Sequence, residues 1–62
     1  MEKMMALPND PAILLSVVNT LLRNRYADLD VLCDTEDISR RSLERCLASI
    51  GYTYMPRLNQ FR

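Results

Sequence analysis

Histidine and tryptophan are absent from this 62-residue sequence, glycine and phenylalanine occur once each, and cysteine occurs twice. With no histidine and only Cys33 and Cys46 as thiols, four zinc ligands cannot be gathered unless carboxylates or a second chain contribute. The same lack removes the commonest general base, and a single glycine leaves no glycine-rich loop to cradle a phosphate. A chain this short also has little room for a closed pocket of roughly several hundred Å³. The sequence therefore predicts a non-catalytic protein with no metal and no cofactor. No apolar run approaches the roughly 18 residues of a membrane span. The run from Met4 to Leu7 is too short for a secretory leader and is broken by Pro8, Asn9 and Asp10. These absences predict a cytoplasmic chain with reduced thiols and no membrane partner.

Length predicts a single domain over residues 1–62, of a size that buries only roughly 60% of the surface its unfolded chain exposes. Small scaffolds without disulfides or metal often lean on association, so a partner chain would help. The formal net charge is zero but unevenly laid out. Residues 1–37 carry four more acids than bases, and residues 38–62 carry four more bases than acids.

The most strongly patterned stretch is Ile38 to Tyr52, ISRRSLERCLASIGY. Ser39 suits an N-cap, and Ile38 and Leu43 flank it with the spacing of a hydrophobic staple. Leu43, Cys46, Leu47 and Ile50 recur at i, i+3, i+4 and i+7, which predicts one buried stripe on a helix over about 40–50. Gly51 supplies the left-handed residue that ends a helix and brings Tyr52 back onto Leu47. At about 100° per residue, Arg41 and Arg45 project opposite that stripe, with Ser42 and Ser49 beside them. That face is either an ordinary solvated surface or a nucleic-acid contact.

Before it, Asp10 and Pro11 form an N-cap and first helical position for a helix over about 11–24. Its apolar residues spread over an arc of roughly 200°, against roughly 100° for an ordinary surface helix. Either later elements grip it on two sides, or its spare edge meets another subunit. Ser16, Asn19, Thr20 and Arg23 form its polar strip, flanked by Leu15 and Leu22. The strip is solvated, bonded to nearby backbone, or a binding surface. Asp28 caps a short second helix over about 29–36, with Leu29, Leu32 and Cys33 on its apolar side and Tyr26 lying over the core. After Gly51 the pattern alternates, predicting a β-hairpin near 52–62 in which Tyr54 pairs with Phe61. Pro56 fits the second position of a type I turn, Asn59 tolerates the left-handed conformation, and Arg57 lies on the loop. Residues 1–6 read as a loose tail, with Leu7 as an apolar plug.

The run Ile38-Ser39-Arg40-Arg41-Ser42-Leu43-Glu44-Arg45-Cys46-Leu47 resembles the start of recognition helices in bacterial regulators, with Cys33 as the small residue at the helix crossing. It departs from them at the turn, where Asp37 stands in the place usually given to glycine. Three helices and a hairpin, with a helix-turn-helix pair at the second and third helices, describe a mainly α fold: a three-helix, helix-turn-helix-like bundle with a small C-terminal β-hairpin, a miniature winged helix. Such helix pairs also serve as plain packing units.

Leu7-Pro8, Asp10-Pro11, Leu15-Ser16, Val18-Asn19-Thr20, Leu22-Arg23, Tyr26, Leu29-Asp30, Leu32-Cys33, Ile50-Gly51-Tyr52, Tyr54 and Asn59-Gln60-Phe61 are together similar to a family of short, free-standing bacterial proteins catalogued only as a domain of unknown function. That family commonly has a basic residue in place of Leu21 and acids in place of Asn24 and Met55. The resemblance implies a small cytoplasmic protein, complete in itself, and puts weight on the polar strip of the first helix and on Asn59-Gln60-Phe61. It brings no activity.

Two functional expectations follow. The first is a protein-interaction module or homodimer, meeting its partner through Ser16, Asn19, Arg23, Leu15 and Leu22. The second is a DNA-binding module using Arg41, Ser42, Arg45, Ser49 and Arg57, against which the acidic second helix and the zero net charge both count.

Overall fold

The computed structural model describes Pro8 and residues 10–62. The loose tail and the Leu7 plug expected at the N-terminus lie outside the described residues. Three helices are followed by a small antiparallel hairpin, so the fold is mainly helical with a C-terminal pair of strands.

Helix α1, Pro11–Asn24, begins where expected. The Asp10 carboxylate accepts from the N–H of Ala12 at 2.9 Å and of Ile13 at 3.5 Å, and Pro11 occupies a position where no N–H is needed. Leu14, Val18 and Leu22 are buried, four residues apart on one side, while Leu15 and Leu21 pack more loosely against the same core. Both later helices and the second strand of the hairpin lie against α1. Being gripped from several directions accounts for most of its wide apolar arc, and the spare edge is marked by Ile13, 54% exposed.

Helix α2, Leu29–Glu36, is capped by Asp28, whose carboxylate accepts from the Val31 N–H at 2.9 Å. Leu29, Leu32 and Cys33 are buried against α1 and against α3, Arg40–Ala48, which contributes Leu43 and Leu47. Ser39 caps α3 by accepting from the Ser42 N–H at 3.3 Å. Between α2 and α3 the chain reverses through Asp37, which sits left-handed at φ 60° while the Ile38 N–H bonds back to the Cys33 carbonyl at 2.9 Å. This is the hydrogen-bond pattern that ends helices at glycine, carried here by an aspartate.

At the far end of α3 a glycine does that work. Gly51 has φ 87°, its N–H bonds to the Ala48 carbonyl at 2.9 Å, and the Tyr52 N–H reaches the Leu47 carbonyl at 3.0 Å. The regular helix stops at Ala48, however, and does not continue to Ile50. Ile50 already bonds three residues back, to Leu47 at 3.2 Å. Ile50 lies past the last regular residue, where the chain is already turning toward Gly51, and stands 39% exposed, while Cys46 is only half-buried, so the buried stripe is Leu43 and Leu47.

The strands are β1, Tyr54–Met55, and β2, Gln60–Phe61, with Tyr54 opposite Phe61 and Met55 opposite Gln60. Reciprocal bonds between Thr53 and Arg62, at 3.1 and 3.0 Å, extend the pairing outward. Pro56 takes the second position of the turn closed by the Leu58 N–H on the Met55 carbonyl at 3.0 Å, and Asn59 is left-handed at φ 52°. The Tyr54 and Phe61 rings lie 5.5 Å apart at 52°, and both are buried. Arg40 holds the remaining corner. Its guanidinium bonds Asp30 at 2.7 Å and Glu44 at 3.4 Å and lies 5.5 Å from the centre of the Tyr54 ring, joining α2, α3 and β1.

Asp37 is exposed, carries positive φ, and adds negative charge at the C-terminal end of α2, where the helix dipole disfavours it. Asp37→Gly should therefore stabilise the fold by about 1 kcal/mol, net of the extra freedom glycine gives the unfolded chain. For a domain of this size that is a rise in Tm of roughly 4–8 °C. A melt of the variant that is unchanged or lower would show that the turn derives support from the carboxylate.

Candidate functional site: a groove between α1 and the hairpin

The polar strip of α1 does not face open solvent along its whole length. Asn19 turns inward, its Nδ2 donating to the Phe61 carbonyl at 3.1 Å and its Oδ1 accepting from the Phe61 N–H at 2.8 Å. Three residues on, near the end of the same helix, Asn59 reaches across from the hairpin loop. Its Nδ2 donates to the carbonyls of Leu22 and Tyr26, each at 3.0 Å, and its Oδ1 accepts from the Tyr54 hydroxyl at 2.7 Å. That hydroxyl in turn accepts from the N–H of Leu29, the first residue of α2, at 3.2 Å. Left-handed backbone at Asn59 aims its amide at the helix end, and asparagine tolerates that conformation better than most residues.

Held this way, α1 and the loop enclose a half-open groove of about 510 Å³. Ser16, Thr20 and Arg23 form one wall, Leu58 and Gln60 the other, and the Asn19 and Asn59 amides with Leu22 form the floor. Arg23 is the one charged side chain lining it, and among the described residues it has no ion pair. Leu58 stands 52% exposed at the rim.

Of the residues expected at an interaction surface, Ser16 and Arg23 are exposed and share this groove. Asn19 shares it too, but both atoms of its amide are engaged with Phe61. Leu22 is a correction. It is 2% exposed and belongs to the core, because it follows Leu14 and Val18 at fourfold spacing on the buried side, and only its edge shows at the groove floor. Leu15 is half-buried against the core and does not line the groove. Thr20 and Gln60 stood in the polar strip and the C-terminal run that the sequence marked, though not among the named contacts, and Leu58 stood in neither. Leu58 was detectable as a large apolar residue inside a turn, where packing does not call for one.

The expected nucleic-acid residues are less closely grouped. Arg41, Ser42, Arg45 and Ser49 are exposed on or just past α3, and among the described residues neither arginine forms an ion pair. The Ser49 hydroxyl donates to the Cys46 carbonyl at 2.6 Å and so closes the helix end. Arg57 is exposed in the hairpin loop, which among the described residues hydrogen-bonds to α1 and its following turn and not to α3.

Burial pushes the Cys33 thiol up, which keeps it protonated, and the cysteines are unpaired. The Tyr26 hydroxyl donates to the Glu36 carboxylate at 2.5 Å, and that bond raises its pKa. Among the described residues no three of the Cys, Asp and Glu side chains are grouped to hold a metal ion, and no helix is long and apolar enough to cross a membrane. The model of one family, described as Domain of unknown function (DUF4250), matches residues 8–61. No curated protein and no solved structure matches the chain.

Asn59→Asp keeps the shape of the floor while turning a donor shared by two carbonyls into an acceptor. It should cost roughly 2–4 kcal/mol at neutral pH, since two buried-side carbonyls lose their partner. The introduced carboxyl, facing carbonyls, would have its folded pKa raised above the usual value of about 3.9. Stability lost at neutral pH should thus be partly regained as pH falls through that raised value, because the protonated form donates again. A pH series of denaturant melts that runs parallel to the parent would rule out the role given to Asn59.

Proposed function

The chain belongs to the DUF4250 family of unknown function, and from the groove between α1 and the hairpin we propose that it is a non-catalytic protein-interaction module. The observation that carries this reading is the combination of a rigid floor with an unengaged rim. The two asparagines fix the walls, while Ser16, Thr20, Arg23, Leu58 and Gln60 remain available to a partner. Nothing in that set combines a nucleophile with a base, and an aliphatic residue beside polar groups is the usual make-up of a contact surface. Self-association is one form of the same reading, with the Ile13 edge of α1 as further apolar area. We place the protein in the cytoplasm, where unpaired thiols such as Cys33 and Cys46 stay reduced.

A photo-crosslinking amino acid at position 58, compared with one at position 41, tests the reading in cells expressing the chain. Position 58 should yield a discrete adduct, of twice the chain mass if the partner is a second copy. Adducts from position 41 alone would overturn it.

DNA binding through α3 is the second reading, favoured by the exposure of Arg41 and Arg45 and their freedom from ion pairs among the described residues. Two or three phosphate contacts would give a shallow salt dependence, about −0.9 in log affinity against log salt for each. Fluorescence anisotropy with mixed duplex DNA at low salt should then show weak binding that Arg41→Ala with Arg45→Ala abolishes while Tm stays near the parent value. Absence of binding at about tens of micromolar protein, where non-specific binders are still seen, removes this reading.

A further inference from the structure

We infer that the groove takes an acidic, aliphatic peptide segment of a partner protein, with a carboxylate against Arg23 and an aliphatic side chain against Leu58. The inference rests on the interaction-module reading and specifies its occupant. Charge decides the first half. Arg23 is the single ionised side chain in the lining, no carboxylate opposes it there, and it has no ion pair among the described residues. A cationic ligand would be repelled, and a neutral one would leave the exposed guanidinium paired with water alone, without its best partner.

Leu58 decides the second half. Turn tips usually carry small or polar residues, yet here a leucine stands 52% exposed directly at the groove rim. A purely polar ligand would leave that surface in water. The remaining hydrogen-bonding capacity is neutral: the Ser16 and Thr20 hydroxyls and the Gln60 amide, none of which is engaged through its side chain among the described residues. Neutral donors and acceptors placed along two walls match the alternating N–H and C=O groups of an extended peptide. At about 510 Å³ the groove falls in the size range of ligand sites, roughly 300–1,000 Å³. It is half-open to solvent and not an enclosed cavity, so a segment of a longer chain can lie in it.

The test is a titration of the full ¹⁵N-labelled chain with acetyl-Leu-Asp-Leu-amide and its neutral counterpart acetyl-Leu-Asn-Leu-amide, followed by amide chemical shifts. The acidic peptide should shift Thr20, Arg23 and Gln60 and bind roughly two- to fivefold more tightly than the neutral one, the range for a partly exposed ion pair. Arg23→Gln should remove that difference, and Leu58→Ala should weaken both peptides. Both substituted side chains are exposed, and the rest of each spectrum reports whether the fold is kept. Equal binding of the two peptides, shifts confined to Arg41 and Arg45, or no groove shifts at millimolar peptide overturns the inference. If position 58 crosslinks to a partner while the peptides behave alike, the interaction module stands and the acidic occupant falls. If position 58 captures nothing and neither peptide binds, both fall.

Discussion

The side-chain amide of Asn59 is where the helices and the hairpin are joined. A helix end leaves several backbone groups without partners, and the junction of α1 and α2 presents two such ends close together. Asn59 satisfies the carbonyls of Leu22 and Tyr26 at the first end and fixes the Tyr54 hydroxyl, which satisfies the Leu29 N–H at the second. Leaving any one of these groups unpaired in a buried position costs about 1–3 kcal/mol, a large share of the stability of a domain this small. The hairpin is therefore more than a lid on the core, since it completes hydrogen bonding that the helices cannot finish themselves.

This chain of bonds explains why the left-handed backbone at Asn59 is tolerated. With φ at 52° the residue both closes the loop and directs its amide to the helix end, so local strain is offset by three side-chain hydrogen bonds. Asp37 presents the contrast. It adopts a similar conformation at the other reversal, but its exposed carboxylate has no comparable set of partners. The weight that family resemblance places on Asn59-Gln60-Phe61 likewise acquires a physical cause. Asn59 braces the helix junction, Phe61 fills the core, and Gln60 between them faces the groove.

What could be read in the sequence follows from the range of each interaction. Asp10, Asp28, Ser39 and Gly51 declare themselves because their partners lie two to five residues away, and a buried stripe such as Leu43 and Leu47 is visible in its period. The bonds from Asn19 to Phe61 and from Asn59 to Leu22 span 42 and 37 residues, and no periodicity marks them. Hence the polar strip of α1 was legible as a strip, but not its division into an inward Asn19 and an outward Ser16, Thr20 and Arg23. Leu22 was misplaced because an apolar arc this wide does not say which of its edges is buried, and Leu22 lies on the core row with Leu14 and Val18. Ile50 failed differently, because the helical period was carried past Ala48, the last regular residue of α3, into the turn that Gly51 completes.

Asn19 has one more effect. In a two-stranded sheet each strand has an outer rim of backbone donors and acceptors, the part of a β-structure most prone to recruit another chain. On β2 the outward N–H and carbonyl of Phe61 are both taken by a single side-chain amide, arranged as a neighbouring strand would arrange its own peptide group. The helix thus supplies a one-residue imitation of a third strand. On that side a passing strand finds no open pair at Phe61 with which to extend the sheet.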